Sequence, residues 1–110
     1  MDASIESFVY YLRYERNYSD YTINAYSSDL HQFEKYVRDE VGSFIPIQID
    51  LDVARGWLVF LLKQKKSPVS VKRKLSSLKS YFKFLVKKGD ILANPLRLAV
   101  GPKTGKSLNP

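Results

Sequence analysis

The chain has 110 residues, 45% of them hydrophobic and 14% aromatic, a length and composition that exclude an intrinsically disordered chain and suit one domain around one modest core. It has no cysteine and a single histidine, which excludes a disulfide framework and a thiolate metal site and leaves little for imidazole ligation. There is no signal-peptide pattern and no apolar run near the ~18 residues of a membrane span, so the expected location is the cytoplasm, and the net charge of +7 points to a polyanionic partner.

The first predicted element is an amphipathic helix over residues 4–16, with Ser4 as its cap. Ile5, Phe8, Val9 and Leu12 recur at helical spacing and define its buried face. Tyr10, Tyr11 and Tyr14 fall on the other side, where they fill the core rim or offer a contact surface to another protein. Asn17 to Asp20 is a run of turn formers, and Ser19 or Asp20 caps a second helix reaching about Val41. Ile23, Tyr26, Leu30, Phe33 and Val37 are its apolar stripe. Its first turns carry Thr22, Asn24, Ser27 and Ser28, short polar groups suited to phosphates or base edges and equally ordinary near a helix start. His31, beside Leu30 and without a nucleophile to serve, reads as a structural histidine at the core edge.

Residues 42–48 form a connecting loop, in which the alternation of Ile45, Ile47 and Ile49 predicts a short extended piece tucked against the core. Asp50 and Asp52 open a third helix, placed where the helix dipole favours acids, and are not an acid/base pair. Val53, Trp57, Leu58, Leu61 and Leu62 are its predicted buried face, and Trp57 among them reads as core. Gly56 costs this helix about 1 kcal/mol relative to Ala, which is repaid if a neighbour approaches closely there.

The fourth helix has the clearest ends: Ser67 to cap it, Pro68 at its first position and Gly89 to stop it. Val71, Leu75, Leu78, Phe82 and Leu85 make a core stripe. Lys72, Ser76, Lys79, Ser80, Lys83 and Lys87 form the adjacent stripe with Arg73 beside it, while Lys74 points away. Seven basic residues and no acid lie between 67 and 88, which leaves 11 bases against 11 acids elsewhere, so the whole net charge can be assigned to this helix. Ordinary solvated helix faces intersperse Glu with Lys, and this one does not. Beyond it, Asn94 and Pro95 predict a short fifth helix to about Ala99, and the polar Gly/Pro-bearing stretch 101–110 reads as a linker. The expected fold is all-α, a compact bundle of four longer helices plus a short C-terminal helix over residues 1–100.

No catalytic constellation, Gly-rich phosphate loop, cofactor site or metal site emerges, so this chain reads as a binding module and not as an enzyme in itself. Lysines that neutralise phosphates release counterions, and a helix of this diameter enters the major groove of B-DNA but not the deep groove of A-form RNA. Double-stranded DNA is the expected partner, and Thr22, Asn24, Ser28, Ser70, Lys72, Arg73, Ser76, Lys79, Lys83 and Lys87 are the candidate contacts. The alternative is a helical protein-interaction module whose basic face docks an acidic partner or another subunit. A membrane-surface helix is disfavoured, because the apolar stripe is needed to close the core.

Two stretches carry a resemblance. Tyr11-Leu12, Glu15-Arg16, Ser19, Thr22, Tyr26, Asp29-Leu30 and Phe33 form one pattern. Ser67-Pro68, Val71, Arg73, Leu75-Ser76, Leu78-Lys79, Phe82, Leu85, Gly89 and Asn94-Pro95 form the other, followed by Gly101-Pro102-Lys103 with Leu108 and Pro110. Together they resemble the SAM-like core-binding domain of tyrosine recombinases, closest to Xer-like enzymes and related phage or transposon integrases. The resemblance implies an arm that clamps a DNA half-site together with a catalytic domain beyond Pro110, helices two and four facing the duplex. Thr22 would touch the backbone and Tyr26 would be core. Arg73, Ser76 and Lys79 match motif positions, with Lys79 standing where the family often has Arg, which suits a point contact to phosphate more than guanine readout. It further implies partner protomers in a synaptic complex, with the first helix near their contacts. The full-length protein would cut and rejoin DNA through a phosphotyrosine intermediate without metal or nucleotide, in DNA integration or chromosome dimer resolution, and its catalytic Arg, Lys, His and Tyr would lie outside this chain.

Overall fold

A computed structural model describes residues 2–101 and, among them, contains helices and turns but no strand. The helices are α1 (Ala3–Tyr14), α2 (Asp20–Val41), α3 (Leu51–Lys63) and α4 (Pro68–Lys88), with a single 3₁₀ turn at Pro46–Gln48. None is long and apolar enough to cross a membrane. The linker expected at 101–110 lies, apart from Gly101, outside the described residues.

Each start follows from a side chain that takes an otherwise orphaned N–H. Ser19 Oγ accepts from Thr22 N at 3.2 Å, Asp50 Oδ1 from Val53 N at 3.0 Å and Ser67 Oγ from Ser70 N at 3.2 Å. At α1 the cap is Asp2, not Ser4: Asp2 Oδ1 accepts from Ser4 N at 2.8 Å, and a carboxylate outcompetes the hydroxyl two residues later. The Ser4 hydroxyl instead meets Tyr81 Oη of α4 at 2.6 Å. Gly42 and Gly89 end α2 and α4 at φ 101° and 86°, left-handed values that side chains resist.

The core is assembled from the predicted stripes. Ile5, Phe8 and Leu12 of α1, Ile23, Leu30, Phe33 and Val37 of α2, Trp57, Leu58 and Leu61 of α3, and Val71, Leu75, Leu78, Phe82 and Leu85 of α4 are all buried. Trp57 sits edge-on to Phe33 with ring centroids 5.2 Å apart, as a core residue does. Gly56 has a reason: a Cβ there would lie 2.7 Å from Tyr36 Oη, so the tyrosine of α2 would have to shift to make room for a side chain on α3.

Besides the cap of α1, five expectations are corrected. The buried arc of α4 is wider than one stripe, taking in Lys74, Ser77, Tyr81 and Phe84, because α1, α2 and α3 all contact this helix. On α3, Leu62 is exposed and Ala54 takes the inward position. His31 is exposed, since one residue on from buried Leu30 the helix has turned by about 100°. The alternating isoleucines do not form an extended piece: Pro46 starts the 3₁₀ turn, Ile45 and Ile47 face solvent, and Phe44 and Ile49 are the residues that reach the core.

The fifth helix is replaced by successive turns. Asn94 Oδ1 accepts from Leu96 N at 2.8 Å, Arg97 N donates to Asn94 O at 3.3 Å and Ala99 N to Leu96 O at 3.0 Å. Asn94 Nδ2 also donates to Lys79 O at 3.2 Å, and Leu96 and Ala99 are buried, so packing onto α4 overrides helical continuation. The segment ends with Gly101 against α4, where an added Cβ would stand 3.4 Å from both Leu75 Cδ2 and Lys72 Cγ.

Candidate nucleic-acid interface

Helical phase determines which side chains of α4 remain outside. At 100° per residue, Lys72, Lys83, Ser76, Lys87 and Ser80 fall within an arc of about 80°, with Lys79 bordering one edge and Arg73 the other. Lys72, Ser76, Lys83 and Lys87 are exposed, and Lys79 and Ser80 are half-buried. From Lys72 to Lys87 the row extends about 22 Å along the helix axis. Among the described residues Lys72, Lys79, Lys83 and Lys87 pair with no carboxylate.

The inner side of α4 treats its cations differently. Asp29 of α2 is fully buried, and its Oδ1 accepts from Arg73 Nη2 at 2.7 Å and Lys74 Nζ at 2.9 Å, while Oδ2 accepts from Ser77 Oγ at 2.7 Å. Lys74, only 6% exposed, also donates to Gln32 Oε1 at 2.9 Å, and Gln32 Nε2 donates to Ser28 Oγ at 3.3 Å. A carboxylate removed from water needs such donors, and no buried side-chain nitrogen or oxygen among the described residues lacks a partner. The chain of bonds from Ser28 through Gln32, Lys74 and Asp29 to Arg73 fixes the register of α2 against α4.

The predicted contacts divide accordingly. Lys72, Ser76, Lys83 and Lys87 share the open face, with Lys79 at its margin. Arg73 reaches the surface with 51% of its side chain exposed while one nitrogen is held by Asp29, so its guanidinium is oriented before any ligand arrives. On α2, Asn24 and Ser28 are exposed one turn apart, and the bond network joins Ser28 to the Arg73 edge of α4. Thr22 and Ser70 are half-buried and committed to helix starts: the Thr22 hydroxyl accepts from Ser19 Oγ and the Ser70 hydroxyl from Ser67 Oγ, each at 3.1 Å.

Asp29, Gln32, Ser77 and the structural role of Lys74 were missed by reading helices one at a time. The signal was present: Asp29 lies three residues after Tyr26 and four before Phe33, on the apolar stripe of α2. Lys74 and Ser77 fall likewise among the apolar positions of α4. An acid on one buried stripe and a base on another predict one another.

At its C-terminal end the open face reaches α1. Lys87 Nζ lies 5.2 Å from the centroid of the Tyr11 ring, and the neighbouring Arg16 guanidinium, aided by the charge of Lys87, holds the Tyr11 hydroxyl below the ordinary tyrosine value. On the far side of α1, the exposed rings of Tyr10 and Tyr14 lie against each other at 4.5 Å. Tyr11 instead packs on the core with Phe84, 4.9 Å between centroids, so it fills the core rim while Tyr10 and Tyr14 stay exposed.

The fold and this surface define a class: a small all-helical domain that carries, among the described residues, a lysine face on its last helix with no carboxylate paired to it. The family model for the phage integrase N-terminal SAM-like domain matches residues 5–89, and the chain belongs to that family. The chain is 39% identical over 106 residues to tyrosine recombinase XerC of Oceanobacillus iheyensis, covering 96% of this chain and 34% of the relative. It is 36% identical over 103 residues to tyrosine recombinase XerC of Anoxybacillus flavithermus, covering 94% and 34%. With tyrosine recombinase XerD of Listeria innocua it shares 33% identity over 108 residues, covering 98% and 36%. The chain thus spans about a third of the length of the curated relatives it matches. No solved structure gives a significant match. The resemblance carried by the two sequence patterns is borne out.

Proposed function

We propose that this domain is the DNA-binding arm of a tyrosine site-specific recombinase, gripping a duplex half-site mainly through α2 and α4. The observation that carries the reading is the row of lysines on α4 that no carboxylate neutralises, beside an arginine already aimed by Asp29. Lys72, Lys79, Lys83 and Lys87 act as point charges on phosphates, Ser76 adds a hydroxyl to the backbone, and Arg73 is the group best oriented for a base edge or a bidentate phosphate contact. Asn24 and Ser28 contribute from α2, while the N–H groups of Thr22 and Ser70 are taken by the cap hydroxyls of Ser19 and Ser67, which leaves these two residues their own hydroxyls to offer.

The domain itself supplies no catalytic group. Residues 1–100 hold the duplex, and 101–110 lead toward a catalytic domain in which a tyrosine cuts and rejoins the strand through a phosphotyrosine intermediate. The parent protein acts in the cytoplasm with further protomers, in DNA integration or chromosome dimer resolution. The exposed Tyr10–Tyr14 pair suits a protomer contact at the first helix.

The test is a titration with a short B-DNA duplex followed by amide-resolved NMR at several salt concentrations. Shifts should cluster on residues 70–87 and 19–28 and fade with salt, the logarithm of affinity falling with that of salt at a slope of about −4 to −5 for five phosphate contacts. A spectrum unchanged at low salt overturns the reading and makes the basic face a dock for an acidic protein or another subunit.

A further inference from the structure

A second cationic feature lies where α1 meets the end of α4. Between them is an open cleft of about 600 Å³, floored by Phe8 and Phe84 and rimmed by Arg16, Lys83 and Lys87. Tyr11, Tyr18 and Ser80 bring hydroxyls to the same cleft, and no acidic side chain lines it. Three positive charges around one concavity repel one another, and none of the three pairs with a carboxylate among the described residues.

The backbone is built to hold one of these cations in place. After α1 the chain folds back, with Arg16 N donating to Tyr11 O at 3.1 Å and Tyr18 N to Leu12 O at 3.0 Å, around Asn17 at φ 52°. Those bonds also occupy carbonyls at the end of α1 that would otherwise face an anion. The Arg16 guanidinium then stands 5.4 Å from the Tyr18 ring centroid, as Lys87 stands 5.2 Å from that of Tyr11. Both cations are held at aromatic faces with their remaining donors free.

The structure assigns this cleft as a phosphate-binding site, with Arg16, Lys87 and Lys83 as the charged ligands and the Tyr11 and Ser80 hydroxyls as orienting donors. Its chemistry fits a phosphate of the DNA backbone or the phosphate of a small phosphorylated molecule. Lys83 and Lys87 belong both to the open face of α4 and to the cleft rim, so a strand following that face runs into the site. The backbone source rests on the DNA reading above, and the small-molecule source does not.

Two titrations on the intact chain test it, comparing the wild type with Arg16→Gln and Arg16→Gln/Lys87→Gln, whose folding is checked by thermal melts. In the first, inorganic phosphate replaces chloride at constant ionic strength; saturable amide shifts at residues 11, 16, 18 and 87 are expected in the wild type and lost in the double variant. In the second, the salt dependence of duplex affinity should lose about one unit of slope in Arg16→Gln, uniformly across DNA sequences. Lys72→Gln in the same titration reads the α4 grip separately, so loss of that grip and loss of this site are distinguishable. A slope change identifies the backbone as source, and phosphate shifts with an unchanged slope identify a free phosphorylated ligand. No saturable shift together with an unchanged slope, or no saturable shift in a chain that binds no duplex, overturns the assignment.

Discussion

The inner and outer sides of α4 use the same residue types to opposite ends. On the inner side Arg73 and Lys74 converge on buried Asp29 and lock two helices together. On the outer side Lys72, Lys83 and Lys87 pair with no acid among the described residues. The difference does not come from α4, which has no carboxylate of its own, but from where α2 places one. A cation count along a sequence therefore overstates the charge available to a ligand until the neighbouring helix is known.

The largest effect separating the two sides should come from Asp29→Ala. It leaves Lys74 buried without its counter-charge, and a loss of about 3–5 kcal/mol is expected in denaturant titration. A loss below about 1 kcal/mol would mean that the seam is not a stabilising lock. Leu78→Ala should cost about 2–5 kcal/mol by opening a cavity, and should weaken DNA binding only in proportion to the fraction unfolded. That variant controls for stability without touching charge.

A smaller effect concerns a buried polar group of the inner side that carries no charge. Burial pushes the Tyr81 hydroxyl well above its ordinary value, so the folded chain keeps a proton that the unfolded chain releases near pH 10. Stability from this group is complete below pH 10 and falls as the pH rises beyond it, by up to about 1.4 kcal/mol per unit. Tyr81→Phe should flatten that alkaline decline in pH-dependent unfolding, at a cost of about 1 kcal/mol near neutrality for the lost bond to Ser4.

The smallest change in stability belongs to the outer side. Lys72→Gln should move the melting free energy by no more than about 0.5 kcal/mol, yet lower the salt slope of duplex binding by about 0.9. Arg73→Gln should do both, losing stability at the seam and affinity at the surface. If Arg73→Gln weakened only one of the two, its double placement would be wrong.

Local chemistry made most of this architecture readable in advance. Ser67, Pro68 and Gly89 delimit α4, and the period of Val71, Leu75, Leu78, Phe82 and Leu85 names the side that is buried. What escaped reading depends on partners distant in sequence. Lys74 and Ser77, which the sequence of α4 alone gives no partner, acquire their role when Asp29, more than forty positions earlier, meets them. Asn94 and Pro95 carry a helix-start signal that is overridden once Leu96 and Ala99 find burial against α4. The lysine face was legible because it is defined by absence, since no acid occurs along that helix. The cleft beside Arg16 was not, because its two walls belong to the first and last helices.

The contact of Gly101 with Lys72 and Leu75 has a kinetic meaning. Gly101, the last described residue, lies beside the first lysine of the open face, and the segment before it is held by buried Leu96 and Ala99 and by the Asn94 bond to Lys79. On the function proposed above, a domain joined beyond residue 101 would be tethered near the rim of the charged surface and would meet whatever that surface has captured at a raised effective concentration. For a partner tethered in that way, the second encounter would be a local search and not a free diffusion.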